Sequence, residues 1–364
     1  MAKKLAGIVG APVTPFKKGD VDYETFAQQV NFLIDNGVDA LAHPMHIGES
    51  LNLRDEERRE LARIFVQATA SRVPTFVNVS FAGTDLSVDL ADHSAKVGST
   101  GIVLLAPYYW EPAPKDIIEH FVAAASAHGG QLIAYNNVHA TNVSLTVDIC
   151  RTLLKRIPGF AGLKDASFNM PTFTAYCGLA DEAPHPLAVY TGIEHLLPSI
   201  PVGGSGCFSA CMEVAPRMVR ALYQACIAGD GATARELQQK VLRLLNRLMH
   251  TYPSTIKYAM ELMGRPVGET RRPIPALTAA EKKATQDELA ALGILESEPH
   301  GWPHAAQGPA SDPAGSSHHA QNINRSGTQG LQARKRSQQG KDSGCEGPHG
   351  EDRTAARRAR QTVP

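Results

Sequence analysis

The sequence holds no C-x-x-C pair. Its six cysteines, Cys150, Cys177, Cys207, Cys211, Cys226 and Cys345, are scattered. That excludes a dense disulfide framework and suits reduced thiols in a cytoplasmic protein. Net charge is missing too: 36 Lys and Arg balance 36 Asp and Glu, so no global field points to nucleic acid or a membrane. No apolar run approaches the roughly 18 residues of a membrane span. The start, Met1-Ala2-Lys3-Lys4-Leu5, has charge but no long apolar stretch before Pro12, so no signal peptide is expected. A glycine-rich phosphate loop is absent after the first apolar run, which enters Ala11-Pro12-Val13-Thr14-Pro15-Phe16 instead. That speaks against the open, doubly wound α/β fold, which usually carries such a loop.

What is present is a core and a rhythm. Hydrophobic residues make up 43% and charged residues 20%, as in a globular chain. From Leu5 to about Gly229, short apolar runs alternate with amphipathic helices. The runs are Gly7–Val13, Ala40–His43, Thr75–Val79, Gly101–Leu105, Leu132–Asn136, Phe160–Lys164, Leu187–Thr191 and Gly206–Ser209. Between them, helices are expected over Tyr23–Asn36, Arg54–Ser71, Asp85–Val97, Lys115–His128, Thr146–Lys155 and Glu213–Ala228, with two weaker ones near Pro171–Leu179 and Glu194–Ile200. Alternation of this kind means a parallel sheet, and eight units suit a closed (β/α)8 TIM barrel better than an open sheet. The expected organisation is a barrel over 1–230, a C-terminal helical extension over 231–296, and a disordered basic tail over 297–364. The stretch 301–364 holds nine Lys and Arg against five Asp and Glu, and only Ile323, Leu331 and Val363 from the Ile, Leu, Val, Met and Phe set. Such a stretch cannot bury enough surface to offset its chain entropy, so it is read as unstructured rather than as a nucleic-acid arm.

In a barrel of this kind the chemistry sits at the C-terminal ends of the strands. The polar residues there are Thr14, His43, His46, Glu49, Tyr108, Tyr109, Tyr135, Asn136, His139, Lys164, Asp165, Thr191, Gly192 and Ser209. Lys164 ends an apolar run. Desolvation there lowers a lysine pKa, and a neutral amine attacks a carbonyl to form a Schiff base. The alternative is a strand-end lysine paired with Asp165. Tyr135, one strand earlier, is placed to shuttle a proton or is a rim aromatic. Tyr108-Tyr109-Trp110 lines either a pocket or an interface. Gly48-Glu49-Ser50 either holds a carboxylate on exposed amides or caps the helix near Arg54. His43, His46, Glu49 and His139 would suit a metal-dependent aldolase if they met. Loop histidines are more often solvated, and no metal site or cofactor is assigned.

Taken together, Gly10–Phe16, Gly48-Glu49-Ser50-Leu51-Asn52-Leu53, Ala106-Pro107-Tyr108-Tyr109, Tyr135-Asn136, Gly162-Leu163-Lys164-Asp165-Ala166-Ser167 and Gly203-Gly204-Ser205-Gly206 resemble the dihydrodipicolinate synthase/N-acetylneuraminate lyase family of class I aldolases. The resemblance runs from about Leu5 to Leu292. It implies a lyase acting on pyruvate or a related 2-oxo acid without a cofactor, with Lys164 as the Schiff-base lysine and Tyr135 as the proton relay. It implies that Tyr109 reaches a neighbouring subunit's site in a homotetramer, and that Gly192 and Phe208 line the pocket. The sequence departs from the family pattern before Gly48. Met45-His46-Ile47 stands where the family usually has Gly-Thr-Thr or Gly-Ser-Thr, leaving His46, Ile47 and the Gly48 backbone to bind the substrate carboxylate. Ala140 stands where the synthases carry an arginine for a second carboxylate, which argues against dihydrodipicolinate synthase itself. Retro-aldol cleavage comes first among the implied reactions, followed by dehydration or hydration–aldol chemistry on a sugar-derived or aromatic 2-oxo acid. A non-catalytic, ligand-binding barrel is the other class. The aromatic run at 108–110 and Ile47 favour a less polar substrate.

Overall fold

The computed structural model describes residues 4–303. Eight parallel strands close into a barrel: β1 Gly7–Gly10, β2 Ala40–His43, β3 Thr75–Asn78, β4 Gly101–Leu105, β5 Gln131–Asn136, β6 Phe160–Asp165, β7 Ala188–Thr191 and β8 Gly206–Ser209. Each strand pairs with its chain neighbours, and β8 returns to β1. The strands read as continuous apolar runs because both of their faces are covered. β1, β2, β3, β7 and β8 are buried at every position. Closure brings β1 and β8 very near each other. Gly7 pairs with Gly206, and a Cβ on Gly206 would lie 1.8 Å from the Gly7 carbonyl oxygen.

Helices between the strands begin where the sequence supplies a cap. Asp22, Thr146 and Asn169 each accept a bond from an amide three residues on, satisfying one of the free donors of the first turn. The helix read as weak near Pro171–Leu179 is a full one, Met170–Asp181, with Asn169 as cap and Pro171 in its first turn. Capping and a buried face of Phe173, Tyr176 and Cys177 outweigh its glycine and threonine content. The other weak helix is short, Leu196–Ser199. β1 stops at Gly10 rather than Val13, because Pro12 has no amide to donate.

The extension forms Gly231–Leu248, Ser254–Leu262 and Ala279–Ala291, with a short turn Ile294–Ser297. Packing continues past 296. The Glu298 carboxylate accepts from the amides of Arg217 and Met218, 2.9 Å each, at the start of helix Pro216–Ala228, where an anion complements the helix dipole. Trp302 meets Phe32 edge to face. The tail expected from 297 therefore begins no earlier than 304, and the rest of that expectation lies outside the described residues. No described helix is long and apolar enough to cross a membrane.

Candidate active site

Register places Lys164 of β6 directly beside Tyr135 of β5. The Lys164 Nζ sits 3.6 Å above the Tyr135 ring centre and 5.0 Å from that of Phe208. Asp165, next along the strand, faces the other way, as alternation requires. Its carboxylate accepts from Asn136 Nδ2 at 2.8 Å, Ser167 N at 3.2 Å and Ser167 Oγ at 2.9 Å. The reading of Lys164 as an ion-pair partner of Asp165 therefore fails. Among the described residues Lys164 has no carboxylate at salt-bridge distance. It is 5% exposed, and burial pushes its pKa down to about 7, with the Asp165 charge opposing. Much of it is then neutral amine near pH 7, the nucleophilic form. Tyr135 is also buried. Its hydroxyl accepts a bond from Asn137 Nδ2 at 3.1 Å, and burial raises its pKa above the ordinary phenol value, so it stands protonated.

Both residues open onto a cavity of about 370 Å³ at the C-terminal end of the barrel. His46, Ile47, Gly192 and Phe208 line it with them, as do Asn137, His139, Phe168, Ile193, Met249 and Tyr252. Gly192 has a steric reason to be glycine: a Cβ there would fall 2.6 Å from Ala166 Cβ, blocking the approach of β7 to β6. His46 stands exposed at the mouth, its ring 5.2 Å from that of Tyr252. Desolvation by the surrounding protein, and then the charge of Lys164, lower its pKa.

Gly48 lies outside the lining. Its amide and that of Glu49 donate within the turn, to Met45 O and His46 O at 3.0 Å, so neither is free to hold an anion. A Cβ on Gly48 would instead press on His43 and the Pro12 carbonyl, both 3.1 Å away. Tyr109 and Trp110 lie outside the cavity as well, 85% and 64% exposed and packed on each other. The suggested metal donors do not assemble. His43 is buried against Thr14 Oγ1 at 3.1 Å, with a pKa lowered by burial to about 3, and Glu49 is ion-paired with Lys257 at 2.7 Å.

Several lining residues were not foreseen. Asn137 follows Tyr135-Asn136 directly and was within reach of the strand-end argument. Phe168 and Ile193 sit in loops one residue beyond the stretches considered. Met249 and Tyr252 come from the extension, where nothing local marks a barrel-mouth residue.

A model of the Dihydrodipicolinate synthetase family matches residues 4–292. The chain belongs to the dihydrodipicolinate synthetase family. Among curated members, it is 33% identical over 298 residues to a 4-hydroxy-tetrahydrodipicolinate synthase from Nitratidesulfovibrio vulgaris strain DP4, covering 80% of this chain and 100% of that one. It is 32% identical to 4-hydroxy-tetrahydrodipicolinate synthase 1 of Halalkalibacterium halodurans, covering 79% and 96%. Among solved structures of the family, a dihydrodipicolinate synthase from Bacillus anthracis superposes with a TM-score of 0.75 at 30% identity, over 82% of this chain and 99% of that one. A prophage protein of the family from E. coli K12, in complex with pyruvate, superposes with a TM-score of 0.76 at 27% identity, over 79% and 99%.

Proposed function

We propose that this family member is a class I lyase that forms a Schiff base between Lys164 and pyruvate or a related 2-oxo acid. The observation that carries the reading is a buried lysine with no carboxylate at salt-bridge distance among the described residues, in the cavity lining beside a buried tyrosine. The relatives' synthase activity and the pyruvate-bound prophage protein support the same substrate class.

In this scheme the neutral Lys164 amine adds to the ketone, water leaves, and a protonated imine results. The imine draws in the electron pair of the neighbouring C–C bond, so that an aldehyde departs and an enamine remains. Protonation and hydrolysis then release the shorter 2-oxo acid. Tyr135, held by Asn137, carries the protons of carbinolamine formation and collapse. No cofactor takes part. Dehydration is the second reading, favoured by His46 at the mouth in place of a hydroxyl, since an imidazole kept neutral can act as the base that takes the proton lost together with the hydroxyl. Tyr109, largely exposed on the single chain, is the residue we assign to a subunit contact in a homotetramer.

Borohydride trapping with pyruvate, followed by peptide mapping, tests the scheme. An adduct on Lys164 is expected. Failure across a panel of 2-oxo acids would turn the reading to a non-catalytic, ligand-binding barrel.

A further inference from the structure

Above Lys164 the cavity changes character. Lys164 is the only lysine, arginine, aspartate or glutamate among the lining residues. A ligand bearing a second carboxylate would find no cation of its own there. Two of the polar side chains are already engaged. The Asn137 amide donates to Tyr135 Oη at 3.1 Å, and Ser209 Oγ donates to Glu194 Oε1 at 2.5 Å while accepting from Met212 N at 3.1 Å. A chain of hydroxyls would be stripped of water without enough partners, and unmet buried hydroxyls disfavour binding.

Two phenols face the cavity: Tyr135, which accepts from Asn137 and serves Lys164 in the scheme above, and a second one farther out. Tyr252 lines the cavity close to Tyr135 and Glu194, and among the described residues its oxygen has no hydrogen-bond partner. Around it the wall is apolar or aromatic, with Ile193, Met249 and Phe168. Phe168 is 54% exposed, in the left-handed region at φ 55. Its ring is stacked on His139 at 5.8 Å and meets His195 edge-on at 6.1 Å. A large aromatic left exposed at a cavity mouth is a surface for another flat ring.

We propose that the partner of the 2-oxo acid in this site is an aromatic aldehyde, its ring against Phe168 and Met249 and its oxygen on Tyr252. In the cleavage direction the substrate is then a 4-aryl-4-hydroxy-2-oxo acid. The inference rests on the Schiff-base reading of Lys164. In condensation the enamine carbon bonds to the aldehyde carbon. The carbonyl π pair moves to oxygen, and this oxygen takes the Tyr252 phenolic proton. Water at the open mouth restores the phenol. Cleavage runs the same steps backwards: the C–C bond breaks, its pair enters the imine, and the hydroxyl proton leaves through Tyr252. Atoms and electrons balance without an oxidant or reductant.

The test uses the full chain with pyruvate and three kinds of aldehyde: benzaldehyde, glyceraldehyde and succinic semialdehyde. The inference expects kcat/KM for benzaldehyde to exceed the other two by about tenfold or more. Phe168→Ala should raise KM for benzaldehyde about tenfold more than for glyceraldehyde. Tyr252→Phe keeps the ring and should lower kcat about 100-fold, while borohydride trapping of pyruvate on Lys164 proceeds as in the parent. If trapping succeeds but glyceraldehyde or succinic semialdehyde is the better substrate, the aromatic assignment falls and the Schiff-base reading stands. Equal loss of trapping and turnover in Tyr252→Phe would make Tyr252 structural and overturn its role here. If no 2-oxo acid is trapped at all, both readings fall together.

Discussion

Two buried lysines, one on a barrel strand and one on the extension, differ in one respect. Lys164 lies at the penultimate position of β6 with no counter-ion among the described residues, against two aromatic rings and open to the cavity. Lys257, on the extension helix Ser254–Leu262, is ion-paired with Glu49 at 2.7 Å and lies 4.3 Å from the Phe16 ring centre. Burial lowers both pKa values, Lys164 to about 7 and Lys257 to about 8, where Glu49 pulls the other way. Glu49 in turn accepts from the Arg271 amide at 2.9 Å. The second lysine therefore fastens the β2 loop to the extension, while the first has no ionic partner among the described residues. Burial alone does not mark a nucleophile. Burial without a partner, next to space for a ligand, does.

The largest expected effect separates the two at once. Lys164→Ala should lose pyruvate trapping and at least about 10³-fold in kcat/KM, as loss of a covalent nucleophile does. Lys257→Met should keep the adduct on Lys164. Its damage is expected in stability, because Glu49 is left buried and uncompensated, at a cost of about 3–5 kcal/mol. The pair Glu49→Gln/Lys257→Met should recover much of that loss, since it removes both charges. Urea unfolding of the three variants measures this. A double variant no more stable than Lys257→Met would mean that the pair is not a coupled unit.

A smaller effect comes from pH. Below about 7, Lys164 takes up a proton and the amine is lost, so kcat/KM should fall about tenfold for each further unit of acidity. Stability has its own slope. The folded pKa of Lys164 lies below the unfolded value of about 10.4. Between about 7 and 10 the unfolded chain thus binds more protons, and stability rises with pH in that window. The penalty is complete below about 7 and vanishes above about 10. Lys257 has a slope of the same sign, so the comparison needs Lys164→Met, which should flatten only the first contribution. A parent and a Lys164→Met variant with identical pH–stability curves would mean that Lys164 is not desolvated in the folded state.

The same contrast explains how much was readable beforehand. Strand ends are set by local pattern, so Lys164, Tyr135 and Gly192 could be placed at them from the rhythm of apolar runs, while the resemblance added Phe208 and the lining role of Gly192; all four line one cavity. The junction between the barrel and its extension is built instead by contacts between segments far apart in the chain. The Arg271 amide meets a glutamate 222 residues earlier, and Arg271 closes a two-bond fork on Glu57 at 2.6 Å each. No periodicity encodes such a meeting. Glu49 thus looked like a metal donor or part of an anion-binding loop, whereas it is the partner of Lys257. Tyr252 carried no local sign that it would reach the barrel mouth. The resemblance to the family supplied the positions it shares and nothing about Met45-His46-Ile47, where this chain departs from it.

A third lysine sharpens the comparison from the other end. Lys283 bonds Asp287 one turn along helix Ala279–Ala291, at 2.8 Å, nearly the distance of the Lys257–Glu49 pair. The two side chains are 75% and 61% exposed, against 3% and 0% for the buried pair. Water already solvates both charges of the exposed pair, and holding two long side chains in place opposes what little attraction remains. Lys283→Ala should therefore change stability by no more than about 0.5 kcal/mol, with most of that change gone at high salt. Activity and trapping should match the parent. The measurement is the urea midpoint at low and high salt beside that of Lys257→Met. If Lys283→Ala costs as much as Lys257→Met, then contact distance rather than desolvation governs these lysines. The lowered pKa on which the Lys164 reading depends would lose its cause.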